Sequence, residues 1–487
     1  MGTKMTMPGM LLLIVEVIAL AVLGVASASH FGLADGLSIT VSYLVAYLVP
    51  LLLLKRARGT SAAAHVVLLL IALFMGFVAW DCLVEWARPE GCSLQRPNLS
   101  GDARSLYKWA LQEYDGSAEY DGGIFPGFPL MMVAMWKVLG VSVIWPQAIN
   151  MMFTMVSVVL TGMMTRRVLS RRIPLSDSSL VLCGMLLMCP LLYYLASGVT
   201  ILKEATTFLS VTMVGYALSS MVAGDDERHR LGRDIVIFLV ACLLLAFVRT
   251  TFLYSVALGV ILIALPHLRR DWLLALCLLA AIAVMMFLGN HFAGYSFYRH
   301  AEIVDGGWNM QRSFNHSYNL NIIGFYFLYS PLHRVLLLPV TMAVQFFLPM
   351  PVPWILVDEE PYWLAFFSRM SYGWYLFGGT ALFYCLFMSW RRHFNIGLWA
   401  WWPVIVYVGL AYVMGGTMAR YVLPFQPLMV PMVLFTLYHV FTQRRWRKAY
   451  LIYLLVLVLL ILGGLLLNHE VSWLTISRLL KSHSLFL

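Results

Sequence analysis

Charged residues are scarce in this sequence. They make up 11% of its 487 residues, while 61% are hydrophobic; a soluble domain carries about 25% charged and about 45–50% apolar residues. That shortage excludes a soluble globular enzyme, a disordered chain and a coiled coil. Phosphate-binding P-loops and dinucleotide fingerprints are missing, which argues against energy coupling by nucleotide hydrolysis. No His-Glu-x-x-His occurs, so a zinc-protease site is excluded. The seven cysteines show no metal-type spacing. Cys183, Cys189, Cys242, Cys277 and Cys385 fall in apolar runs and read as packing residues. Cys82 and Cys92 flank the start of a polar loop and are placed to form a disulfide if that loop faces an oxidising compartment. No nucleic-acid-binding motif is present, and no internal repeat suggests the inverted halves of a transporter. The first apolar run lacks a cleavage site and is soon followed by another, which argues against a cleaved signal peptide.

What the sequence has in quantity is long apolar runs. Its hydrophobic residues suffice for about a dozen membrane helices of about 20 residues each. The expected fold is therefore all-α, a polytopic membrane protein in which residues 1–487 form a single transmembrane domain. The net charge of +10 sits in short clusters between apolar runs, as the positive-inside rule describes. It reads as topology rather than as a nucleic-acid surface.

The expected spans lie at about 10–27, 37–54 and 64–85, with Lys55-Arg56-Ala57-Arg58 and the N-terminus in the cytoplasm. Residues 86–141 form a first outer loop with interfacial helices, its apolar stretch at 125–140 lying at the surface. A crossing at 143–163 leads to the basic cluster Arg166-Arg167 and Arg171-Arg172. Further spans are expected at 178–196, 202–222, 234–248, 251–266 and 272–288. A second outer loop occupies 289–333. The segment 335–356 ends in Pro349, Pro351 and Pro353 and reads as re-entrant or interfacial, shielded by protein or water; a fourteenth helix is the alternative. Spans at 373–389, 397–414, 421–441 and 449–466 bring the total to about thirteen, each close to the length a bilayer needs.

Both large loops fall on the outer side, where polar, aromatic and charged residues gather. Asp102, Leu106, Trp109 and Ala110 share helical spacing, which puts Asp102 near a helix start. An acidic residue there either caps the helix or serves as a general base at the membrane surface. Asp81 and Glu85 stand one helical turn apart at the outer end of the third span. Arg249, between two apolar runs, is costly against lipid and should face a cavity, a partner or the outer surface. In the second loop Arg312 and His316 are spaced to share a helix face. Asn98-Leu99-Ser100 matches a glycosylation sequon.

Several stretches together resemble the GT-C superfamily of integral-membrane glycosyltransferases, which take polyprenyl-phosphate-linked sugars. They are Asp102 and Tyr107 in the first outer loop, then Tyr120-Asp121 with Phe125-Pro126-Gly127-Phe128-Pro129-Leu130, and Trp136-Lys137-Val138-Leu139-Gly140. Ser197-Gly198 with Lys203-Glu204, Phe247-Val248-Arg249-Thr250, and Ala419-Arg420-Tyr421 with Pro424 and Pro427 continue the series. In order and membrane side they span most of residues 64–441. Two helices precede the one that enters the acidic loop, whereas members of the family usually enter that loop after their first helix. Asp102-Ala103 stands where an acidic pair is frequent, so a divalent metal stays open rather than required.

The resemblance implies an inverting glycosyltransferase with Asp102 as base. Arg249, Arg420, Lys203 and Tyr421 would contact the lipid phosphate of the donor. Tyr107, Asp121, Arg312 and His316 would contact the sugar or the acceptor, a lipid-linked glycan or polymer. It also implies a bacterial inner membrane with the active site on its periplasmic side, in polysaccharide biosynthesis of the cell envelope. Two other activities fit the same outline: a polymerase or ligase using polyprenyl-pyrophosphate-linked glycan, and a lipid or sugar transporter or flippase.

Overall fold

The computed structural model describes residues 7–57, 59–99, 101–117, 127–190, 192–193, 201–222, 231–250, 252–265, 268–292, 401–406, 423–444, 446–456 and 459, with single positions between 363 and 399. The described residues are all-helical and contain no strand. Six of their helices are long and apolar enough to cross a membrane: Leu11–Phe31, Leu33–Arg56, Ala62–Ala87, Ile144–Leu169, Leu231–Arg249 and Trp272–Gly289. This is a membrane protein built from helices. The chain divides into two units, Met1–Met188 with Leu192–Ala293, and Cys189–Leu191 with Gly294–Leu487.

The first unit begins with α1 (Met7–Phe31), α2 (Leu33–Arg56) and α3 (Ala62–Ala87). They match the three expected spans closely, because each apolar run is long and sharply bounded. Ser61 accepts a hydrogen bond from the Ala64 amide and starts α3. The polar loop after α3 carries α4 (Gly101–Tyr114) and α5 (Gly127–Leu139), the latter in place of the expected interfacial segment. Then come α6 (Ile144–Leu169), α7 (Asp177–Leu186), α8 (Glu204–Val222), α9 (Leu231–Arg249), α10 (Phe252–Ala264) and α11 (Leu268–Phe292).

The expected spans are corrected at three places. No continuous helix covers 178–196: α7 ends at Leu186, and Cys189 lies outside any helix, as the residue before Pro190 favours. Helix α10 has 13 residues, about 20 Å of rise, against about 30 Å of hydrocarbon. Helix α6 runs past the expected end at 163 and takes Arg166 and Arg167 into its last turn, where the helix dipole favours cations.

The core of this unit is α8. It packs on α6 and α9, and its residues Glu204–Met221 are buried almost throughout. Several of its hydroxyls return to its own backbone: Thr207, Ser210 and Thr212 donate to the carbonyls of Lys203, Thr206 and Phe208. Helix α6 does the same through Thr154, Ser157, Thr161 and Thr165. Where water is absent, that return bond keeps a hydroxyl from being stranded. Helices α6 and α7 meet through small residues. A Cβ on Gly184 would lie 2.8 Å from the Gly162 Cα, and one on Gly162 would lie 2.7 Å from the Val181 carbonyl. Close backbone approach of this kind drives helix association in lipid.

At one end of the bundle Arg167 and Asp234 form a buried two-pronged pair, with contacts of 2.9 and 3.3 Å. Both side chains are 1% exposed. Arg167 also donates to the Tyr216 carbonyl and lies 3.9 Å above the Tyr216 ring. The neighbouring Arg166 pairs with Asp177, which is 46% exposed. The basic cluster at 166–172 is therefore more than a topology signal, since two of its four arginines hold α6 to its neighbours.

In the second unit, the turn Leu423–Phe425 leads into α12 (Gln426–Thr442), with Pro427 in its first turn as helix starts favour. Thr436 donates to the Ala381 carbonyl and the Trp399 indole to the Leu428 carbonyl. The expected second loop, the whole of 335–356, most of 373–389 and parts of the last spans lie outside the described residues.

Asp234→Ala should cost about 3–5 kcal/mol, because it leaves Arg167 charged and buried. Asp177→Ala should cost less than about 1 kcal/mol, its pair being partly solvated. Thermal unfolding of the two variants in detergent reads the difference.

Candidate functional site

The first polar loop is a packed cap. The Leu94 carbonyl accepts from the Val143 amide and the Trp86 carbonyl from the Asn98 amide, both at 2.9 Å. The Trp136 indole donates to the Ser142 carbonyl at 2.9 Å. These bonds tie the loop to the ends of α3, α5 and α6. Helix α4 lies on α5 through Leu106, Tyr107 and Ala110, which are buried.

Asp102 is in the first turn of α4 and exposed. Both roles read from the sequence fit that place: the helix N-terminus favours its charge, and a reacting molecule can reach it. Tyr107, five residues on, turns inward. Its hydroxyl donates to the Gln95 carbonyl at 3.0 Å, its ring meets Trp136 at 5.0 Å, and burial pushes its phenol above the ordinary range. Tyr107, expected to contact the sugar or the acceptor, fastens the loop to α5. Cys82 and Cys92 are both free thiols, Cys82 buried in α3, so the disulfide is not formed. Asp81 is half-buried and Glu85 exposed.

Arg249 is the last residue of α9 and is buried. Its partner is Glu204, the first residue of α8, at 3.6 Å; the side chains are 7% and 5% exposed. Each charge sits where its own helix dipole favours it. The Arg249 guanidinium also lies 5.0 Å from the Phe252 ring centre. Glu204 is the functional-site residue that sequence reasoning passed over. The structure pairs it with a cation 45 positions along the chain. Lys203 is half-buried in the turn before α8, and its carbonyl accepts from the amide and hydroxyl of Thr207.

The surroundings of the pair are polar and incompletely satisfied. Asn150 of α6 donates to the Leu202 carbonyl at 3.0 Å. Its own side-chain carbonyl and Glu204 Oε2 have no hydrogen-bond partner among the described residues. Buried acceptors in that condition are costly and mark a place where a donor is expected.

The loop helices reach this region. Gly127, at the start of α5, packs on the backbone just before Arg249: a Cβ there would lie 2.3 Å from the Phe247 carbonyl. Only glycine permits that approach, which explains its place between Pro126 and Phe128. Asp102 and Arg249 thus belong to one chain of packed helices, α4 on α5 and α5 on α9. Asp121, Arg312, His316, Arg420 and Tyr421 lie outside the described residues.

One further charge was overlooked in the sequence. Glu16 lies inside the Leu11–Phe31 span and accepts a hydrogen bond from the Tyr47 hydroxyl at 2.5 Å. Among the described residues no group of three or more His, Cys, Asp or Glu side chains is arranged to hold a metal.

No protein-family model, no curated protein and no solved structure matches this chain.

Glu204→Met and Arg249→Met should each cost about 3–5 kcal/mol by stranding a buried charge, and the double variant should recover a large part of that loss. A double-mutant cycle of unfolding in detergent measures the coupling. Additive losses would mean that the two charges do not depend on each other.

Proposed function

We propose that this protein is a membrane glycosyltransferase of the GT-C type. It would move a sugar from a polyprenyl-phosphate donor to a lipid-linked or polymer acceptor on the outer, periplasmic side of a bacterial inner membrane. The observation that supports this reading is the packing of α5 against the Arg249 turn. It sets an exposed carboxylate, Asp102, on the same helical assembly as a buried cation.

The chemistry asks for both. The acceptor hydroxyl attacks the anomeric carbon, and Asp102 takes its proton. The departing lipid phosphate gains charge, and a guanidinium held at that place offsets it. Arg249 supplies the charge, and Lys203 in the adjoining turn adds a second. In this reading Arg420, Tyr421, Asp121, Arg312 and His316 complete the donor and acceptor sites, and a divalent metal stays optional.

Lipid or sugar translocation is the second reading. Glu16 favours it, since a carboxylate inside a span is a common mark of a transport path.

The deciding assay is sugar transfer by the purified protein from a panel of polyprenyl-phosphate sugars. Asp102→Asn keeps the shape and removes the proton acceptor. The expected loss is at least about a hundredfold in turnover with donor binding unchanged. Full activity in that variant would move the base elsewhere. An absence of transfer by the wild type, together with lipid movement that Glu16→Gln abolishes, would replace the enzyme with a transporter.

A further inference from the structure

The end of the bundle opposite Arg249 carries a second feature. Asp234 is shared by two guanidiniums, Arg167 at 2.9 Å and Arg233 at 3.3 Å. One carboxylate against two cations leaves an excess positive charge. Arg167 is enclosed, but the Arg233 side chain is 50% exposed. Its Nη2 donates to the Tyr216 hydroxyl at 3.0 Å and to Asp234. An arginine has five donors, and among the described residues those on Nε and Nη1 of Arg233 have no hydrogen-bond acceptor.

Beside this cluster a small open groove runs between α8, α9 and α11. Leu218, Met221, Ile235, Leu274 and Leu278 line it, and Asp234 closes its polar end. Trp272, near the start of α11, is 56% exposed at the same end, and tryptophan favours the level of lipid head groups. The apolar groove thus adjoins Asp234, and the half-exposed guanidinium of Arg233 lies 3.3 Å from that carboxylate.

We propose that this groove binds one phospholipid with a net-negative head group. An acyl chain lies along α8, α9 and α11, and the phosphate oxygens accept from Nε and Nη1 of Arg233. Basic pockets between membrane helices recognise anionic lipid heads in this way, and a guanidinium suits the planar, two-pronged geometry of a phosphate. Arg167 and Tyr216 act as positioning residues. They hold Asp234, which anchors one side of Arg233 and leaves its other donors outward. The lipid is neither donor nor acceptor of the proposed reaction, and the inference is independent of that reading.

Native mass spectrometry of the full-length protein tests this, with phosphatidylglycerol or phosphatidylcholine added in detergent. The wild type should retain the anionic lipid at least about fivefold over the zwitterionic one. Arg233→Gln should bring that ratio to about one, while Arg171→Gln, an exposed arginine at the same end, should leave it unchanged. Leu274→Trp fills the groove from its half-exposed side and should abolish the preference with Arg233 intact. If Arg233→Gln fails to fold, the wild-type ratio and Leu274→Trp carry the test. Equal retention of the two lipids by the wild type, or a preference that survives Leu274→Trp, would overturn the proposal. So would a ratio that falls as far with Arg171→Gln, since that is diffuse surface charge. Retention of soluble glycerol phosphate as strong as that of the lipid would likewise refute the role of the groove.

Discussion

A charge taken out of water into a membrane bundle needs a counter-charge, and the first unit is organised around that demand. Two pairs meet it, Arg167 with Asp234 and Glu204 with Arg249. Both involve α9, at residues 234 and 249, which lie about 22 Å apart along a helix. That is less than the thickness of a hydrocarbon core, about 30 Å, so the two pairs do not both reach the head groups, and neighbouring helices enclose them. They also fix register. A slip of α9 by one residue along its axis or around it would separate both pairs at once. The enclosed helix α8 depends on the same arrangement: its ends are held by charge and by Asn150, and its middle by hydroxyls that return to their own carbonyls.

The long apolar helices were legible in the sequence because length and hydropathy act locally. The expected 64–85 became Ala62–Ala87, and the expected 234–248 became Leu231–Arg249. What failed was decided by other forces. Pro190 stands in the middle of an apolar run that would otherwise have continued α7. The last turn of α6 carries arginines that read as loop, yet tertiary partners draw them into the helix. A short helix near 125–140 was legible from its prolines and length, and its close contact with α9 through Gly127 was not.

The site was legible only in part, and the reason is pairing across distance. Nothing local distinguishes Lys203 from Arg249 as the partner of Glu204. The sequence neighbour is the obvious choice, but residues adjacent at a helix start diverge in direction, while the end of an antiparallel helix comes level with that start. The packing of Tyr107 likewise depends on partners distant in the chain. Its place in an aromatic, polar loop suggested a sugar contact; in the folded loop its hydroxyl bonds the Gln95 carbonyl and its ring meets Trp136. The place of Asp102 in the first turn of a helix was legible because it follows from helical spacing alone.

The two charge pairs differ in a way that bears on function. Arg167 and Asp234 are joined by two hydrogen bonds, with an aromatic ring against the guanidinium. Glu204 and Arg249 stand at 3.6 Å, beyond the usual reach of an N–H···O bond, about 2.7–3.2 Å. One oxygen of Glu204 and the side-chain carbonyl of Asn150 also lack donors among the described residues. Within the first pair the hydrogen bonding is complete. The second holds its charges together by Coulomb attraction with hydrogen-bonding capacity left over. An anion that reaches Arg249 displaces a weak partner, and a hydroxyl that reaches Glu204 fills an empty acceptor. If one end of this bundle exchanges partners during a working cycle, the energetic cost is lower at the end beneath α5, where Asp102 is also found.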